Sequence, residues 1–318
     1  MNQFTWKEDL DRRVFAAVRF VNAVDRTPIS TPMEIRTAPV AKDAPPNPND
    51  FLPLRILRNR AGLHVIHSGT TPFASPVAQD LASYTSTFDP APTRPAPETL
   101  TARLRAVDPS GKFLPRDFTL KLPRQPAGRD PEHSVAAPLP VAMFPSPAAA
   151  TSEDWAVLRV MVWRLVAAPT ADNPAKVKAL PVPGALVRVL GDKPATPLAQ
   201  LDVLGRGLTE WRPRADGDPV NCAEALVAVR DILMTSWSTT SDGPVVTEVQ
   251  SVRLEVRFDP KFDPSDSTTL PDPDVLDRGD ASFVSSALPD VLKLRAHDRS
   301  SLRVAFDLNK NLILFPPN

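Results

Sequence analysis

Apolar and polar residues alternate with a period of two along much of this chain, the pattern of half-buried strands. The clearest run follows a turn set by Val182, Pro183 and Gly184. There Ala185, Val187 and Val189 alternate with Leu186, Arg188 and Leu190. Residues 155–163 and 224–229 have the same character. In the first half, residues 14–21 predict a strand and residues 22–27 a turn with Asp25 at its tip. Residues 28–36 then form a proline-led turn into a second strand. Residues 52–57 and 62–66 bracket a turn that places Gly62 where positive φ is wanted. Residues 99–107 and 118–122 are strands with the turn signal Asp108-Pro-Ser-Gly111 between them. Residues 38–50 predict an exposed loop, and 68–97 an extended excursion with one strand near 83–88.

After Trp155 the predicted strands are 155–166, 185–190, 207–211, 225–229, 234–238, 245–258, 291–295 and 302–306. Residues 259–280 are acidic and proline-rich and predict a long loop, and residues 282–288 a short helix. The apolar tail 311–315 either closes a sheet or docks on a partner. Prolines crowd residues 123–154 in a setting of Ala and Ser, the composition of an extended connector. The reading is all-β: two tandem immunoglobulin-like or transthyretin-like antiparallel β-sandwiches. A polar arm (1–13) precedes the first domain (14–122). A Pro/Ala-rich linker (123–154) leads to the second domain (155–318), which carries the acidic loop 259–280. The halves echo one another. Residues 28–36 resemble 181–188, and 62–66 resemble 225–229.

Composition sharpens this picture. Of 318 residues, 38 are proline, more than twice the usual share of roughly 5%. Proline fixes φ and removes a donor, which disfavours long helices. Only 11 glycines leave the loops stiff, and a 42% hydrophobic content supports a core. Lys plus Arg and Asp plus Glu are both 37, so no long-range field recruits nucleic acid or an anionic membrane. Balanced charge also weakens repulsion between copies. Cys222 is the lone cysteine, which excludes an intrachain disulfide. The N-terminal residues do not form a signal peptide, and Arg19 interrupts an apolar run too short to span a bilayer. The expectation is cytoplasmic synthesis without a membrane span, compatible with later release as part of an extracellular particle.

Candidate chemistry is sparse. His64 and His67 stand three apart, on opposite faces of a strand and without a third ligand, and read as edge or surface histidines. His133 and His297 are isolated. Asp259, Asp263, Asp266, Asp272, Asp274, Asp277 and Asp280 lack calcium-loop spacing and read as a solvated loop. Cys222 has no nucleophile signature around it, and Gly205-Arg-Gly207 reads as a turn instead of a phosphate cradle. Trp155 and Trp163, eight apart, share one strand face and read as core. All four tryptophans, Trp211 and Trp237 included, could line a sugar-binding face but read first as core, and Trp211 and Trp237 lie nearer turns, where exposure is expected. Arg12, Arg13, Arg19 and Arg36 read as outward-facing positions, not a nucleic-acid patch. No catalytic, cofactor-binding or metal residue is assigned, and the chain reads as a non-enzyme.

Residues 181–190, Gly207-Leu-Thr209 and 224–229 are similar to carboxypeptidase-regulatory-like, or transthyretin-like, modules, which share a Pro-x-Pro-Gly-Ala turn, a Gly-x-Thr step and a short apolar strand. Here Thr209-Glu210 replaces Thr-Asp, and residues 211–223 form an apparent insertion. The resemblance implies an immunoglobulin-like sandwich with a structural, docking or adhesive role, and it carries over no catalytic residue. The general look of the chain also resembles bacterial proteins encoded with phage-tail-like contractile injection particles, on no particular motif. The favoured expectation is a structural or adaptor protein working through sheet edges and Pro-rich segments, with partners from its own assembly or further copies of itself. A carbohydrate-binding or adhesive module and an enzyme with an unrecognised site are the alternatives.

Overall fold

The computed structural model describes residues 14–37, 54–68, 100–122, 137–153, 155–166, 179–193, 195–210, 223–230, 234–236, 245–247, 249–262, 270–280 and 282–315. Among the described residues the regular elements are almost all strands, with one short α-helix. The first sandwich is built from β1 (Val14–Asn22), β2 (Glu34–Thr37), β3 (Leu54–Arg58), β4 (His64–Ser68), β5 (Leu100–Val107), β6 (Arg116–Leu122) and β7 (Leu139–Met143). One sheet has the order β3-β4-β1-β7 and the other β2-β5-β6. Ala16, Val18 and Phe20, alternate residues of β1, meet Leu104, Ala106, Phe118 and Leu120 of the facing sheet in one core.

The second sandwich comprises β8 (Ala156–Leu165), β9 (Ala179–Pro181), β10 (Leu186–Gly191), β11 (Val203–Leu208), β12 (Ala223–Val229), β13 (Met234–Ser236), β14 (Val245–Thr247), β15 (Gln250–Phe258), helix α1 (Pro273–Arg278), β16 (Val284–Ala287), β17 (Leu292–Leu294), β18 (Arg299–Phe306) and β19 (Leu312–Leu314). The sheet β11-β10-β15-β16, with β17 also on β15, faces β12-β8-β18-β19, with β9 also on β8. Strands β13 and β14 pair with each other. Leu158, Val160 and Val162 of β8 pack against Val187, Val189, Leu254 and Val256 of the opposite sheet, with Phe306 against Phe258.

The turn at Val182–Gly184 is locked by one threonine. The buried Thr209 hydroxyl accepts from Ala185 N at 2.7 Å and donates to the Val182 carbonyl at 2.8 Å. Its own backbone donates to Ala185 O and accepts from Gly184 N. Gly184 has φ of 71°, a conformation that L residues with a Cβ rarely adopt. Gly207 lies in β11, not in a turn, and a Cβ there would meet the Leu226 carbonyl at 2.6 Å. It permits β11 to cross close to β12. These residues of the Pro-x-Pro-Gly-Ala and Gly-x-Thr pattern serve turn and packing.

The two sandwiches repeat one arrangement. In the first, β4-β1-β7 faces β2-β5-β6; in the second, β12-β8-β18 faces β10-β15-β16. In each, the opening strand pairs in parallel with a late one, β1 with β7 and β8 with β18. The similar stretches 28–36 and 181–188 lead into β2 and β10, and 62–66 and 225–229 fall on β4 and β12, which are equivalent places.

Several expectations need correction. The sheets are not purely antiparallel, given the two parallel pairs. The Pro-rich linker 123–154 contains β7, because Val141 and Met143 alternate into the first core while Pro140 sits on an edge strand, where its missing amide is tolerated. The acidic loop 259–280 contains α1, capped by Asp272, with Pro273 in its first turn and Gly279 at its end. Residues 282–288 hold strand β16 instead of a helix, paired with β15. The arm 1–13 and the strand near 83–88 lie outside the described residues. Among the described residues no helix is long and apolar enough to cross a membrane.

Two substitutions test this account in urea unfolding of the full chain. Gly207→Ala is expected to destabilise the second sandwich by about 1–3 kcal/mol through overpacking. Thr209→Val strands a buried amide and is expected to cost about 1–3 kcal/mol.

Candidate functional site

The densest polar cluster lies where the sandwiches meet, and it is organised by Arg116. This residue opens β6 and its side chain is 0% exposed. Its guanidinium donates to Asp117 O at 3.2 Å, to Ala142 O at 2.8 Å and to Asp272 Oδ1 at 3.1 Å, and it pairs with the Asp274 carboxylate. Asp272 and Asp274 belong to the start of α1 in the second domain. Asp272 Oδ1 also accepts from Asp274 N and Val275 N as the helix cap. Burial pushes the Asp272 carboxyl above the usual carboxylate range. Arg116 opposes that shift and Asp274 reinforces it.

Asp117 is equally central. Fully buried, it pairs with Arg103 at 2.8 Å and with Arg105 at 2.8 Å, and accepts from Leu270 N. Its own amide donates to Pro271 O at 3.2 Å, so residues 270–271 lie along β6. The far end of α1 is tied to its own sandwich. Asp277 pairs with Arg188 at 3.3 Å and Arg206 at 3.0 Å, and its carbonyl accepts from Arg257. Glu255 joins Arg188, Arg257 and Ser285 in the same group. Burial lowers the Arg188 pKa from its ordinary value, against the pull of Glu255.

Apolar contacts flank the charges. Ala23, Leu114 and Phe144 of the first domain cluster with Leu186, Leu208 and Leu276 of the second. Val24 packs with Trp155, Val157, Leu226 and Ala228, and Arg230 donates to Asp25 O nearby. A cleft of about 410 Å³ opens on the junction, with Arg103, Thr119, Lys261, Phe262, Asp272 and Phe283 among its walls.

The sequence-derived candidates fall elsewhere or into other roles. Asp272, Asp274 and Asp277 are not a solvated loop; they bind arginines. Asp259 and Asp280 cap local turns through Lys261 N and Ser282 N, and Asp263 and Asp266 lie outside the described residues. Trp155 and Trp163 share a face, but it is the outer one. Trp155 supports the junction and Trp163 stacks on Phe315 at 6.3 Å, whereas the core positions of β8 are even-numbered. His64 is no edge residue but is buried at 4% exposure. His297 is exposed in a turn with φ of 65°, its Nδ1 2.7 Å from Glu153 O. Arg19 and Arg36 are exposed on different sheets. His133, Cys222, Trp211, Trp237, Arg12 and Arg13, and the His67 side chain, lie outside what is described. Among the described residues, no group of three or more His, Cys, Asp or Glu could hold a metal ion.

Sequence reading missed the junction. Its one local signal was Asp272-Pro273 followed by Gly279, a helix start and stop. Comparison with known proteins gave no matching family model, no matching curated protein and no matching solved structure.

Arg116→Met removes the shared cation and is expected to cost about 3 kcal/mol. Hydrogen exchange should then show α1 and β6 losing protection together. Asp272→Asn keeps an equally good cap and sheds a charge that burial already disfavours, so its cost is expected below about 1 kcal/mol in the same measurement.

Proposed function

We propose that this chain is a non-enzymatic structural or adaptor protein of a multiprotein assembly, acting through its sheet edges. The observation that carries the reading is β19. It bonds β18 on one side and ends its sheet among the described residues. Ile313 and Leu314 are 36% and 46% exposed, and Leu308 in the preceding turn is 55% exposed. Phe315 N donates to Arg303 O and Asp307 N to Asn311 O, so odd-numbered residues face β18 and the Leu314 amide faces outward. The hairpin is stiff. Asp307 accepts from Asn309 N and Asn311 N, and these bonds, led by that to Asn311, hold its carboxyl below the usual range. Leu312 N is taken by Ser286 Oγ of β16, which leaves the Leu314 end, with its exposed aliphatics, as the template for an added strand from another chain.

Two further features support the reading. The charged junction links the two sandwiches through Arg116, Asp272 and Asp274. The turn and packing duties of Thr209 and Gly207 suit a transthyretin-like module with a structural role. Partners are other proteins of the assembly or further copies of the chain. A phage-tail-like contractile injection particle is one assembly that needs such parts. The junction cleft favours a second reading, a ligand-binding module, for which a saturable ligand would raise the unfolding temperature of the isolated chain.

Light scattering and native pull-down are expected to show association of the intact chain. Leu314→Pro, which removes an outward amide and an exposed aliphatic side chain from the edge, should weaken it by about tenfold or more, equivalent to about 1.4 kcal/mol. A monodisperse monomer with a tight small-molecule ligand would defeat the proposal.

A further inference from the structure

The described histidines have opposite surroundings. His64 opens β4 directly across from Val18, so its side chain enters the first core beside Ile66. The ring is 4% exposed and sits edge-on to Phe20, with centroids 5.0 Å apart and planes at 73°. Neither Nδ1 nor Nε2 makes a hydrogen bond. On the neighbouring strand β3, Arg58 stands opposite His64 in register. Its guanidinium donates to Ser30 O and places a like charge near any imidazolium. From β1 the ring meets Phe20, and the charged Arg19 points to the exposed side. From the segment before β2 it meets the Met33 backbone. None of the groups acting on the ring is a carboxylate.

The second sandwich supplies an internal comparison. Its equivalent strand β12 carries Ala225, Val227 and Val229 at the core positions. Of the chain's four histidines, His297 alone falls in the second domain, and it is exposed. Nothing in the packing of the first core requires a titratable group where the second sandwich uses aliphatic residues.

We propose that His64 is an acid-sensitive trigger: in mildly acidic surroundings the first sandwich loosens while the second stays folded. Protonation would place an imidazolium among apolar side chains and facing Arg58, with only the Met33 backbone to oppose the cost and no carboxylate among the groups acting on it. Burial already pushes the His64 pKa below its ordinary 6.5; Arg58 lowers it further, and the Met33 backbone partly opposes. The sign follows from proton uptake. The unfolded first sandwich binds a proton near pH 6.5, whereas the folded one resists until lower pH. Stability is therefore full above 6.5 and falls as the pH drops below it, levelling off once the folded value is passed. This inference stands apart from the assembly reading, although a part that releases its first domain's contacts in acid would suit one.

The test is hydrogen exchange on the full chain from pH 7.5 to 5, corrected for intrinsic rates, with His64→Phe and His64→Gln alongside. In the unsubstituted chain, amides of β1, β4 and β5 should lose protection below pH 6.5 by up to about tenfold per pH unit, the limit for one proton. Amides of β8, β15 and β18 should hold, and either variant should flatten the profile. Should His64→Phe fail to fold, His64→Gln and a direct NMR titration of the His64 ring decide. A folded ring that titrates at or above 6.5, an equal acid response in the variants, or simultaneous opening of both sandwiches overturns the proposal.

Discussion

An arginine sealed from solvent sets the terms for this molecule. The Arg116 guanidinium offers five donors and no acceptor, so the fold has to bring anions and carbonyls to it. It does so by drawing the start of α1 across from the second sandwich and by using the Ala142 carbonyl of β7. The short helix therefore has two employers. Its first turn belongs to the first domain's cation and its last turn to Arg188, Arg206 and Arg257 of its own domain. A helix this short is marginal by itself. Ion pairs at both ends, the Asp272 cap and the burial of Leu276 hold it in place.

The same logic describes how the two halves meet. Interfaces between domains usually permit relative motion unless they are large and apolar. Here the apolar patches are modest, and the buried Arg116 is met from the second sandwich by Asp272 and Asp274. Separating the domains would hydrate Asp117 and Arg116 and would also break the run of 270–271 along β6. The sandwiches are thus joined through polar complementarity around Arg116 as well as through apolar contact.

The repeated strand arrangement sets a common frame, and the departures from it carry the individuality. The second sandwich adds β11 beside β10 and β19 beside β18, whereas the first instead adds β3 beside β4. The departures coincide with the features of interest: Gly207 in β11, the exposed aliphatics at β19, and Arg58 in β3 facing His64. A shared core thus leaves the edges free to differ, because residues on an edge strand are constrained on one side only.

Strand content was legible from the chain alone, because alternation is a relation between near neighbours and a pleated strand imposes it locally. Gly184 and the paired stretches 28–36 and 181–188 were legible for the same reason. Residues 139–143 looked like connector because Pro138 and Pro140 outweighed Val141 and Met143, and α1 was hidden in an acidic run despite its cap and stop residues. Other facts had no local trace. That Trp163 faces outward, that His64 faces inward, and that β1 pairs in parallel with β7 depend on which strand lies alongside. The Arg116–Asp274 contact joins residues 158 positions apart. Only the closed fold selects that contact, since a guanidinium accepts any nearby carboxylate and tertiary packing alone decides which one is within reach.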